Sequence, residues 1–529
     1  MQSTIEIYDT TLRDGAQGPG VKFSSGDQIR ILRALDAFGI TFVEGGQPGS
    51  NPKAADFFKQ AKDLPLKKAV VVAFGSTRHP KSAVEDDPNI RALLEADTKV
   101  VTIFAKTSPS HTANVLRVSL DHNLRIIEDS VSYLRSRGRR VIVDAEHFFD
   151  ACREDTGYAL AALERAAAAG AETLVLCDTN GGTLPHEIAA AIRTVRAHLP
   201  KVKLGIHTHN DTGCAVANSI IAVHEGVTHV QGTINGYGER TGNANLSTII
   251  PNLQLKMGIP VVKPAQLANL SRLSHLVAEL ANMTPRDCDP YVGRDAFTHK
   301  AGMHADAVRK EKTSYEHVDP AAVGNRTHVA ISEMSGRASL LHKAADLGVS
   351  LDKDTPEMRS ILSRIKELES QGYEFEGADA SLELLMRKVK GQHRRFFKLH
   401  GFHATVTQQG DDPQSVSEAT VKVEMPDGLI QHTVSEGHGP VDALNGALRK
   451  ALEPCYPELR AVHLEDYKVR IIDAQAATGA KTRVMIESSD LQDRWSTVGV
   501  SENIISASYA ALVDSIEYKL LRTRGHRAK

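Results

Sequence analysis

The chain has 529 residues, and at about 150 residues per domain this length predicts three or four domains and excludes a small binding module. Residues of the set AVILMFWYC make up 41% and charged residues 24%, which is typical of a globular protein with a large core. The 63 Lys and Arg residues against 65 Asp and Glu residues give a net charge of -2. This balance argues against a dedicated nucleic-acid binder, which usually carries an excess of positive charge.

The cysteines and the N-terminus indicate the cellular compartment. Five cysteines, an odd number, are spread along the chain without a C-x-x-C pair, so the sequence predicts neither a disulfide framework nor a zinc knuckle. The N-terminus carries Glu6 and Asp9 where a signal peptide needs a basic and then an apolar stretch. A run of eighteen apolar residues is absent from the sequence. We therefore expect a reduced, cytoplasmic protein that does not associate with membranes.

The first half of the chain repeats a β-branched run, a polar loop and a helical stretch. The eight runs are IEIYDT from Ile5, ITFVEGG from Ile40, KAVVVAFG from Lys68, KVVTIFAK from Lys99, RVIVDAE from Arg140, TLVLCDT from Thr173, VKLGIHTH from Val202 and THVQGTING from Thr228. Helices are predicted at Asp27–Phe38, Ile90–Ala96, Leu124–Ser136, Tyr158–Ala169, Pro185–His198 and Gly213–Glu225. This alternation predicts an α/β fold, a (β/α)8 TIM barrel, and a doubly wound sheet is the alternative.

Polar side chains gather where the predicted strands end. They are Asp9, Arg13, Asp14, Glu44, Lys106, Thr107, Glu146, His147, Asp178, Thr179, His207, His209 and Asn235. Because barrel active sites lie at the carboxyl ends of the strands, this clustering predicts a catalytic site there.

The second half of the chain has a different organisation. Helix formers dominate from about residue 260 to 395. The last stretch repeats a strand–turn–strand–helix unit, with Gly439 and Gly499 at corresponding places, and predicts a separate α+β domain. We therefore predict a catalytic barrel at 1–258, helical linker subdomains at 259–395 and a regulatory domain at 396–529.

The segment IHTHND holds the first candidate metal ligands, His207 and His209. In a strand these two imidazoles point to the same face, about 6.6 Å apart along the chain. Asp14 after the first strand and Asn243 after the eighth add a carboxylate and an amide oxygen, a mixed set suited to Mg²⁺, Mn²⁺ or Zn²⁺. The alternatives are a turn or helix cap for Asp14 and a helix N-cap for Asn243.

The sequence lacks the motifs of several other enzyme classes. It offers two candidate general bases. The glycines between 236 and 242 have the spacing G-x-G-x-x-x-G, which does not match a dinucleotide loop. A nucleophile elbow, a P-loop and H-E-x-x-H are also absent from the sequence. Glu146 and His304 are candidate bases, with a solvated carboxylate and a packed linker histidine as the alternatives. Cys177, in an apolar strand, is expected to be a core residue.

Three motifs give the sequence a family resemblance. DTTLRDG, IHTHND and GYGERTGNANL resemble the acyl-CoA-dependent Claisen-condensing synthases, which include isopropylmalate, homocitrate and citramalate synthases. EGGQPGSNPK, DAEHFFDA and ELESQGYEFEGADASLELLMRK are similar to the citramalate branch in particular. DTTLRDG alone is shared with hydroxymethylglutaryl-CoA lyases and with biotin-dependent carboxyltransferases.

The resemblance implies a metal site and an electrophile-binding residue. Asp14, His207 and His209 match the family's metal ligands, and Asn243 lies at its fourth ligand position. Arg13 matches the arginine that contacts the oxygen of the keto acid. The ion would act as a Lewis acid on a chelated 2-oxo acid.

The resemblance also implies residues for substrate binding and proton transfer. Thr179 matches a residue that holds the keto-acid carboxylate, and Glu146 matches the catalytic glutamate. His304 and Tyr315 match linker residues that reach the active site from the partner subunit of a homodimer or higher homo-oligomer. The general base is therefore either Glu146 or the pair of His304 and Tyr315, and the sequence does not choose between them.

The activity implied is an acyltransferase that condenses pyruvate with acetyl-CoA and water to give citramalate in threonine-independent isoleucine synthesis. An isopropylmalate synthase is the near alternative, a lyase on the same barrel a more distant one, and a non-catalytic amino-acid sensor the alternative from another class. The resemblance further implies that isoleucine or leucine binds the C-terminal domain. Gly437, Gly439 and Gly499 lie before helices whose free N–H groups suit a carboxylate, although tight turns explain glycine there equally well.

Overall fold

The computed structural model describes residues 5–299, 302–329, 337–352, 355–408, 416–472, 480–490 and 493–525. The chain divides into two compact units. The first ends at Phe297 and also takes Glu316–Thr327, and the second takes Thr298–Tyr315 and the chain from His328 onward. Among the residues described, no helix combines the length and apolar character that a membrane crossing requires.

The first unit is a closed barrel of eight parallel strands in sequence order. The strands are β1 Glu6–Asp9, β2 Phe42–Gly46, β3 Val70–Ser76, β4 Val100–Lys106, β5 Arg140–Glu146, β6 Thr173–Asp178, β7 Leu204–Thr208 and β8 His229–Gly232. Strand β1 closes the barrel against β8, with Tyr8 opposite Gln231. The eight predicted strands and the TIM barrel are confirmed, and the doubly wound alternative is wrong.

Helices surround this barrel. They are α1 Ser25–Phe38, α2 Pro52–Lys62, α3 Pro88–Glu95, α4 Pro109–His111, α5 Leu120–Ser136, α6 Phe148–Ala168, α7 Pro185–His198, α8 Ala215–His224, α9 Leu246–Pro251, α10 Pro264–Leu267 and α11 Leu270–Leu280. Helix α2 was not predicted. Asn51 caps it by accepting from the Ala54 amide, Pro52 occupies its first turn, and Phe57 and Phe58 pack into the core.

A mainly apolar buried cluster lies inside the barrel and consists of Tyr8, Phe42, Val72, Val100, Ile142, Val175 and Cys177. A larger apolar layer lies between the strands and the helices. Polar side chains are buried on both sides of the inner cluster, with His229 at the start of β8 and Asp14, Glu44 and Asp144 toward the carboxyl ends of their strands.

The second unit begins with short elements and helices. They are β9 Thr298–His299, α12 Gly302–Lys310, β10 His328–Val329, α13 Arg337–Asp346, α14 Pro356–Ser370 and α15 Asp379–Val389. Strands β9 and β10 pair in parallel, and residues such as Leu340, Ile361 and Leu382 form the core of the helices. The predicted helical stretch is present, although α10 and α11 at its start belong to the first unit. The predicted domain boundaries stay predictions.

The rest of this unit is a duplication. Each copy is a three-stranded antiparallel sheet followed by a helix. The first copy has β11 Lys398–Thr407, β12 Val416–Glu424, β13 Ile430–Gly437 and α16 Pro440–Leu452, and the second has β14 His463–Ile471, β15 Thr482–Ser489, β16 Arg494–Ser501 and α17 Ile504–Arg524. The duplicated α+β domain is confirmed, with one more leading strand in each copy than the strand–strand–helix prediction contains.

Candidate active site

Three predicted metal ligands converge at the carboxyl end of the barrel. Asp14 follows β1, His207 lies on β7 and His209 follows that strand. Asp14 Oδ2 lies 3.3 Å from His207 Nε2 and 3.9 Å from His209 Nε2. The three side chains are buried, and one ligand atom from each lies within 4.8 Å of the other two. The carboxylate and the two imidazoles are therefore close enough to share one cation.

Asn243 lies beside this cluster because its backbone forms an antiparallel bridge with His209. Its Oδ1 atom is buried and accepts no hydrogen bond from the described residues. A buried acceptor without a partner costs about 1–3 kcal/mol, which a cation would offset. Asn243 is not an N-cap, since Asn245 caps α9, and Asp14 makes no side-chain capping hydrogen bond.

The four donors suit a divalent cation. One carboxylate oxygen, two imidazole nitrogens and one amide oxygen form a mixed set that Mg²⁺, Mn²⁺ and Zn²⁺ accept. The unpaired Asn243 oxygen and the close approach of the other three side chains are the structural signs of this fit.

Charge compensation keeps the cluster ready for a cation. Burial raises the pKa of Asp14, but Arg13 and His207 hold it well below its ordinary value. Burial and the neighbouring His207 lower the pKa of His209 to about 4, so His209 is neutral at neutral pH. A neutral imidazole and an ionised carboxylate are the forms that bind metals.

Arg13 lies next to the cluster in a fixed position. Its Nη1 atom lies 3.5 Å from Asp14 Oδ2, its Nε donates to Glu44, and its guanidinium carbon lies 3.9 Å from the centroid of the Phe74 ring. The fully buried Glu44 also accepts from Tyr8, at 2.5 Å, and from Thr10. The position of Glu44 at a strand end is predicted from the sequence, whereas its pairing with Arg13 is not.

Glu146 lies at the end of β5 and faces the same cavity. It is opposite Lys106 in the register of β4 and β5, and the two side chains form an ion pair. The Glu146 side chain is 24% exposed, so it is neither sealed in the core nor freely solvated. The cationic neighbour of Glu146 is therefore Lys106, which the sequence predicts at a strand end but for which it predicts no function.

Thr179 follows β6 at the rim of the cavity. Its hydroxyl oxygen accepts from the His147 amide at 2.9 Å, and its carbonyl accepts from Arg240 at 2.8 Å. Arg240 also pairs with Asp211, so two loops meet at this threonine. The Thr179 hydroxyl is left with its proton to donate into the cavity.

A cavity of about 520 Å³ encloses these side chains. Its lining includes Arg13, Asp14, Gln17, Gln47, Ser50, Asn51, Lys53, Phe74, Phe104, Asp144, Glu146, Cys177, Thr179, His207, His209 and Arg240. Phe74 and Phe104 stack at 5.8 Å and form an aromatic wall. Burial raises the pKa of the Cys177 thiol well above its ordinary value, which matches the expected core role rather than a nucleophile.

The structure brings His304 and Tyr315 together in the second unit. Their rings stack with centroids 4.2 Å apart, and Tyr315 is 51% exposed. The barrel cavity is lined by residues of the first unit. The predicted contribution of this pair to catalysis therefore stays a prediction.

The three predicted regulatory glycines differ in their surroundings. Gly437 is the last residue of β13 and Gly499 lies within β16, and an added Cβ would lie 2.4 Å from the Ala443 nitrogen or 2.1 Å from the Ala507 oxygen. Gly439 is the N-cap of α16 and has open space around it. Glycine is thus required at Gly437 and Gly499 by a close approach of the helix rather than by a tight turn, and an effector role for the three stays a prediction.

Family models match three successive parts of the chain. Residues 4–277 match the HMGL-like model, residues 291–373 the homocitrate synthase post-HMGL domain-like model, and residues 376–520 the LeuA allosteric (dimerisation) domain. The second and third matches follow the barrel in the order that the sequence analysis predicted for its linker and regulatory regions.

Curated relatives match over nearly the full length. The chain is 50% identical to an (R)-citramalate synthase of Geobacter sulfurreducens, with 98% of each chain covered, and 49% identical to one of Aquifex aeolicus, with 99% of each covered. A 2-isopropylmalate synthase of Oceanobacillus iheyensis is 30% identical, with 97% of this chain and 96% of the relative covered. With its metal-ligand cluster, barrel and C-terminal duplication, the chain belongs to the HMGL-like proteins and, among them, to the (R)-citramalate synthase family.

Proposed function

We propose that the barrel cavity condenses acetyl-CoA with pyruvate to give citramalate and free CoA. The observation that carries this proposal is the convergence of Asp14, His207 and His209 beside Arg13 in one cavity. The family relationship makes the chain an enzyme of Claisen-type condensation.

Asp14, His207 and His209, with Asn243 as the fourth donor, would hold a divalent cation, and this ion would polarise the ketone of the keto acid as a Lewis acid. Arg13 donates hydrogen bonds toward the oxygen on which negative charge develops during attack. Because Glu44 and Phe74 already fix the guanidinium, little of it needs to reorganise. Thr179 donates its hydroxyl proton to the keto-acid carboxylate.

The nucleophile forms when a base removes a proton from the methyl group of acetyl-CoA. Glu146 is the base within the cavity, and its ion pair with Lys106 orients its carboxylate. The stacked His304 and Tyr315 are the second candidate, contributed by the partner subunit. Glu146→Gln and His304→Gln variants separate the two, since only loss of the base abolishes exchange of the methyl protons with solvent deuterium.

The reaction consumes one water molecule. A carbon–carbon bond joins the acetyl methyl carbon to the ketone carbon, and the ketone oxygen takes up a proton to become the tertiary alcohol. Water then attacks the thioester, the carbon–sulfur bond breaks, and CoA leaves as the thiol. Hydrolysis of the thioester makes the overall reaction irreversible.

We further propose a cytoplasmic homodimer that pairs through residues 376–520 and responds to isoleucine or leucine. The match to a LeuA allosteric (dimerisation) domain supports the pairing and the regulation. The metal is Mg²⁺, Mn²⁺ or Zn²⁺, which the mixed oxygen and nitrogen donors accept.

The test is an assay of CoA thiol release from acetyl-CoA. Pyruvate is compared with 2-oxobutanoate and 2-oxoisovalerate, each with Mg²⁺, Mn²⁺ or Zn²⁺ added to chelator-treated protein. We expect the highest kcat/KM with pyruvate and no turnover without a metal. A rate with 2-oxoisovalerate equal to or above that with pyruvate would make the chain an isopropylmalate synthase instead.

A further inference from the structure

A buried amide joins one proposed metal ligand to the opposite side of the barrel. Gln231 lies on β8, is fully buried, and its Oε1 atom lies 2.9 Å from His207 Nδ1. Its Nε2 atom donates to Asp144 Oδ1 on β5 at 3.0 Å. A glutamine inside a barrel is costly unless both ends of its amide find partners, and here both do.

These two contacts fix the orientation of the amide. The Gln231 nitrogen faces Asp144 and its oxygen faces His207, an orientation that the ionised form of Asp144 enforces because a carboxylate can only accept. The reversed orientation would set two acceptor oxygens against each other at Asp144.

The orientation of Gln231 in turn decides the tautomer of His207. An amide oxygen only accepts, so the proton of His207 must lie on Nδ1. The Nε2 atom then carries the lone pair, and it is Nε2 that lies 3.3 Å from Asp14 Oδ2. The nitrogen that faces the other ligands is thus the one able to bind a cation.

From this chain of contacts we infer that Gln231, backed by Asp144, is a positioning residue that holds His207 in the metal-binding tautomer and ring orientation. The inference rests on the proposed function, because it assumes that His207 binds the cation. Hydrogen-bond partners behind metal-binding histidines typically contribute 10–100-fold to affinity or activity. Gln231 on β8 thus connects Asp144 on β5 to the proposed metal ligand His207 on β7.

Gln231→Met tests the inference because methionine has a similar size but a very weak acceptor. The readout is the Kd of Mn²⁺ for chelator-treated full-length protein, measured by the electron paramagnetic resonance signal of free Mn²⁺. We expect a Kd about 10–100-fold higher than that of the unmodified protein. An unchanged Kd in a folded Gln231→Met protein would overturn the inference.

The double variant Gln231→Glu with Asp144→Asn gives a second, independent result. The carboxylate at position 231 still accepts from His207 Nδ1 and makes the ring a better donor, and the amide at position 144 donates to that carboxylate, so two acceptor oxygens do not face each other. We therefore expect Mn²⁺ to bind at least as tightly as in the unmodified protein. Weaker binding in this double variant than in the unmodified protein would contradict the positioning role, even where Gln231→Met fails to fold.

Asn218→Leu is the matched control for deleting a buried amide. Asn218 is fully buried on α8 and donates to the Thr183 carbonyl at 2.7 Å. We expect this variant to lower the melting temperature without changing the Kd of Mn²⁺. The same preparations are assayed for CoA release: if the unmodified protein turns over pyruvate while Gln231→Met binds Mn²⁺ normally, only this inference fails. If the Kd pattern holds but pyruvate is not condensed, only the proposed function fails.

Discussion

Asn243 lies opposite His209 in a single antiparallel bridge, which brings the loop after β8 against the end of β7. This one backbone contact sets two of the four proposed ligands side by side. The Asn243 amide also bonds the Gly236 carbonyl at 3.1 Å, so the loop is held at both sides of the residue. The side-chain nitrogen of Asn243 also donates to the Tyr237 carbonyl at 3.3 Å, so the side-chain oxygen is positioned both by the backbone and by this hydrogen bond.

Asn243→Ala and Asn245→Ala should separate metal binding from stability. Asn243→Ala is expected to weaken Mn²⁺ binding at least about 10-fold, because its oxygen bonds no described residue and is available to a cation. It also loses the hydrogen bond from its side-chain nitrogen to the Tyr237 carbonyl, which should cost about 0.5–1.5 kcal/mol. Asn245→Ala removes the N-cap of α9 and should cost about 1 kcal/mol while the Kd of Mn²⁺ stays unchanged. Calorimetric unfolding and Mn²⁺ titration of both variants check this, and a reversed pattern would contradict the ligand assignment.

Arg13→Gln should lower kcat by about 10²–10³-fold, since one charged donor to the developing oxyanion is lost. It also leaves Glu44 buried without its cation, which should cost about 3–5 kcal/mol. The double variant Arg13→Gln with Glu44→Gln removes both charges and should regain most of the stability while staying inactive. Urea unfolding and CoA release are the two measurements. Recovery of turnover in the double variant would show that Arg13 has only a structural role.

Phe104→Ala should widen the site toward larger keto acids. Phe104 stacks on Phe74 in the cavity wall, and its removal leaves space beside the ketone-binding groups. One methylene group more or less in a substrate typically changes kcat/KM by about 10–200-fold in an apolar pocket. We expect the ratio of kcat/KM for 2-oxoisovalerate to that for pyruvate to rise at least about 10-fold. Phe74→Ala is the comparison, because it also removes the ring beneath Arg13 and should depress turnover of both acids.

Glu6 should make a pH-dependent contribution to stability at the amino end of the barrel. Burial raises its pKa, but His229 and Lys203 hold it at about 2, below the ordinary 4.5. Because the folded pKa is the lower one, the stabilisation is fully present above pH 4.5 and is lost as the pH falls toward 2. The full shift is worth about 3 kcal/mol, which solvent screening reduces to about 1 kcal/mol.

The melting temperatures of the unmodified protein and Glu6→Gln, measured from about pH 7 down to about pH 3.5, test this sign. Their difference should shrink as the pH falls. A difference that stays constant over this range would mean that Glu6 has the same pKa in the folded and unfolded chains.

Gly437→Ala and Gly439→Ala should differ in melting temperature, although the two positions are only two residues apart. The new methyl group at Gly437 would lie 2.4 Å from the Ala443 nitrogen, whereas that at Gly439 meets no atom within 4 Å. Overpacking of this kind typically costs about 1–3 kcal/mol, so Gly437→Ala should unfold at lower temperature and Gly439→Ala should not. Inhibition by isoleucine and leucine is measured on both. Equal melting temperatures would contradict the close helix approach at Gly437.

The barrel could be predicted because buried parallel strands read as continuous β-branched runs. The run from Lys99, for example, became β4 at Val100–Lys106. Strands β11 and β14 were missed because they alternate only weakly and leave apolar side chains such as Val406 and Ile471 more than half exposed. Helix α2 was missed although its buried residues, Ala54, Phe57, Phe58 and Ala61, have the helical spacing i, i+3, i+4, i+7, so this signal was present in the sequence.

The position of the candidate site could also be predicted, since strand-end residues meet at one rim of any parallel barrel. The partners of those residues could not. Which acid neutralises Arg13, and which amide faces His207, depends on side-chain directions across the barrel interior. One signal was present, because Gln231 is a polar residue within a predicted strand run. Its partner Asp144 has the same character in β5.

The clamp on Arg13 has a consequence for the energetics of each reaction cycle. Glu44 holds the partly buried guanidinium, and Tyr8 and Thr10 hold Glu44 in turn by donating to its carboxylate. The free-energy cost of drying and ordering this cation is therefore met once, when the chain folds, and not again whenever a substrate enters. The partly buried Arg13 thus lowers the stability of the folded barrel, but it needs no further desolvation or ordering during catalysis.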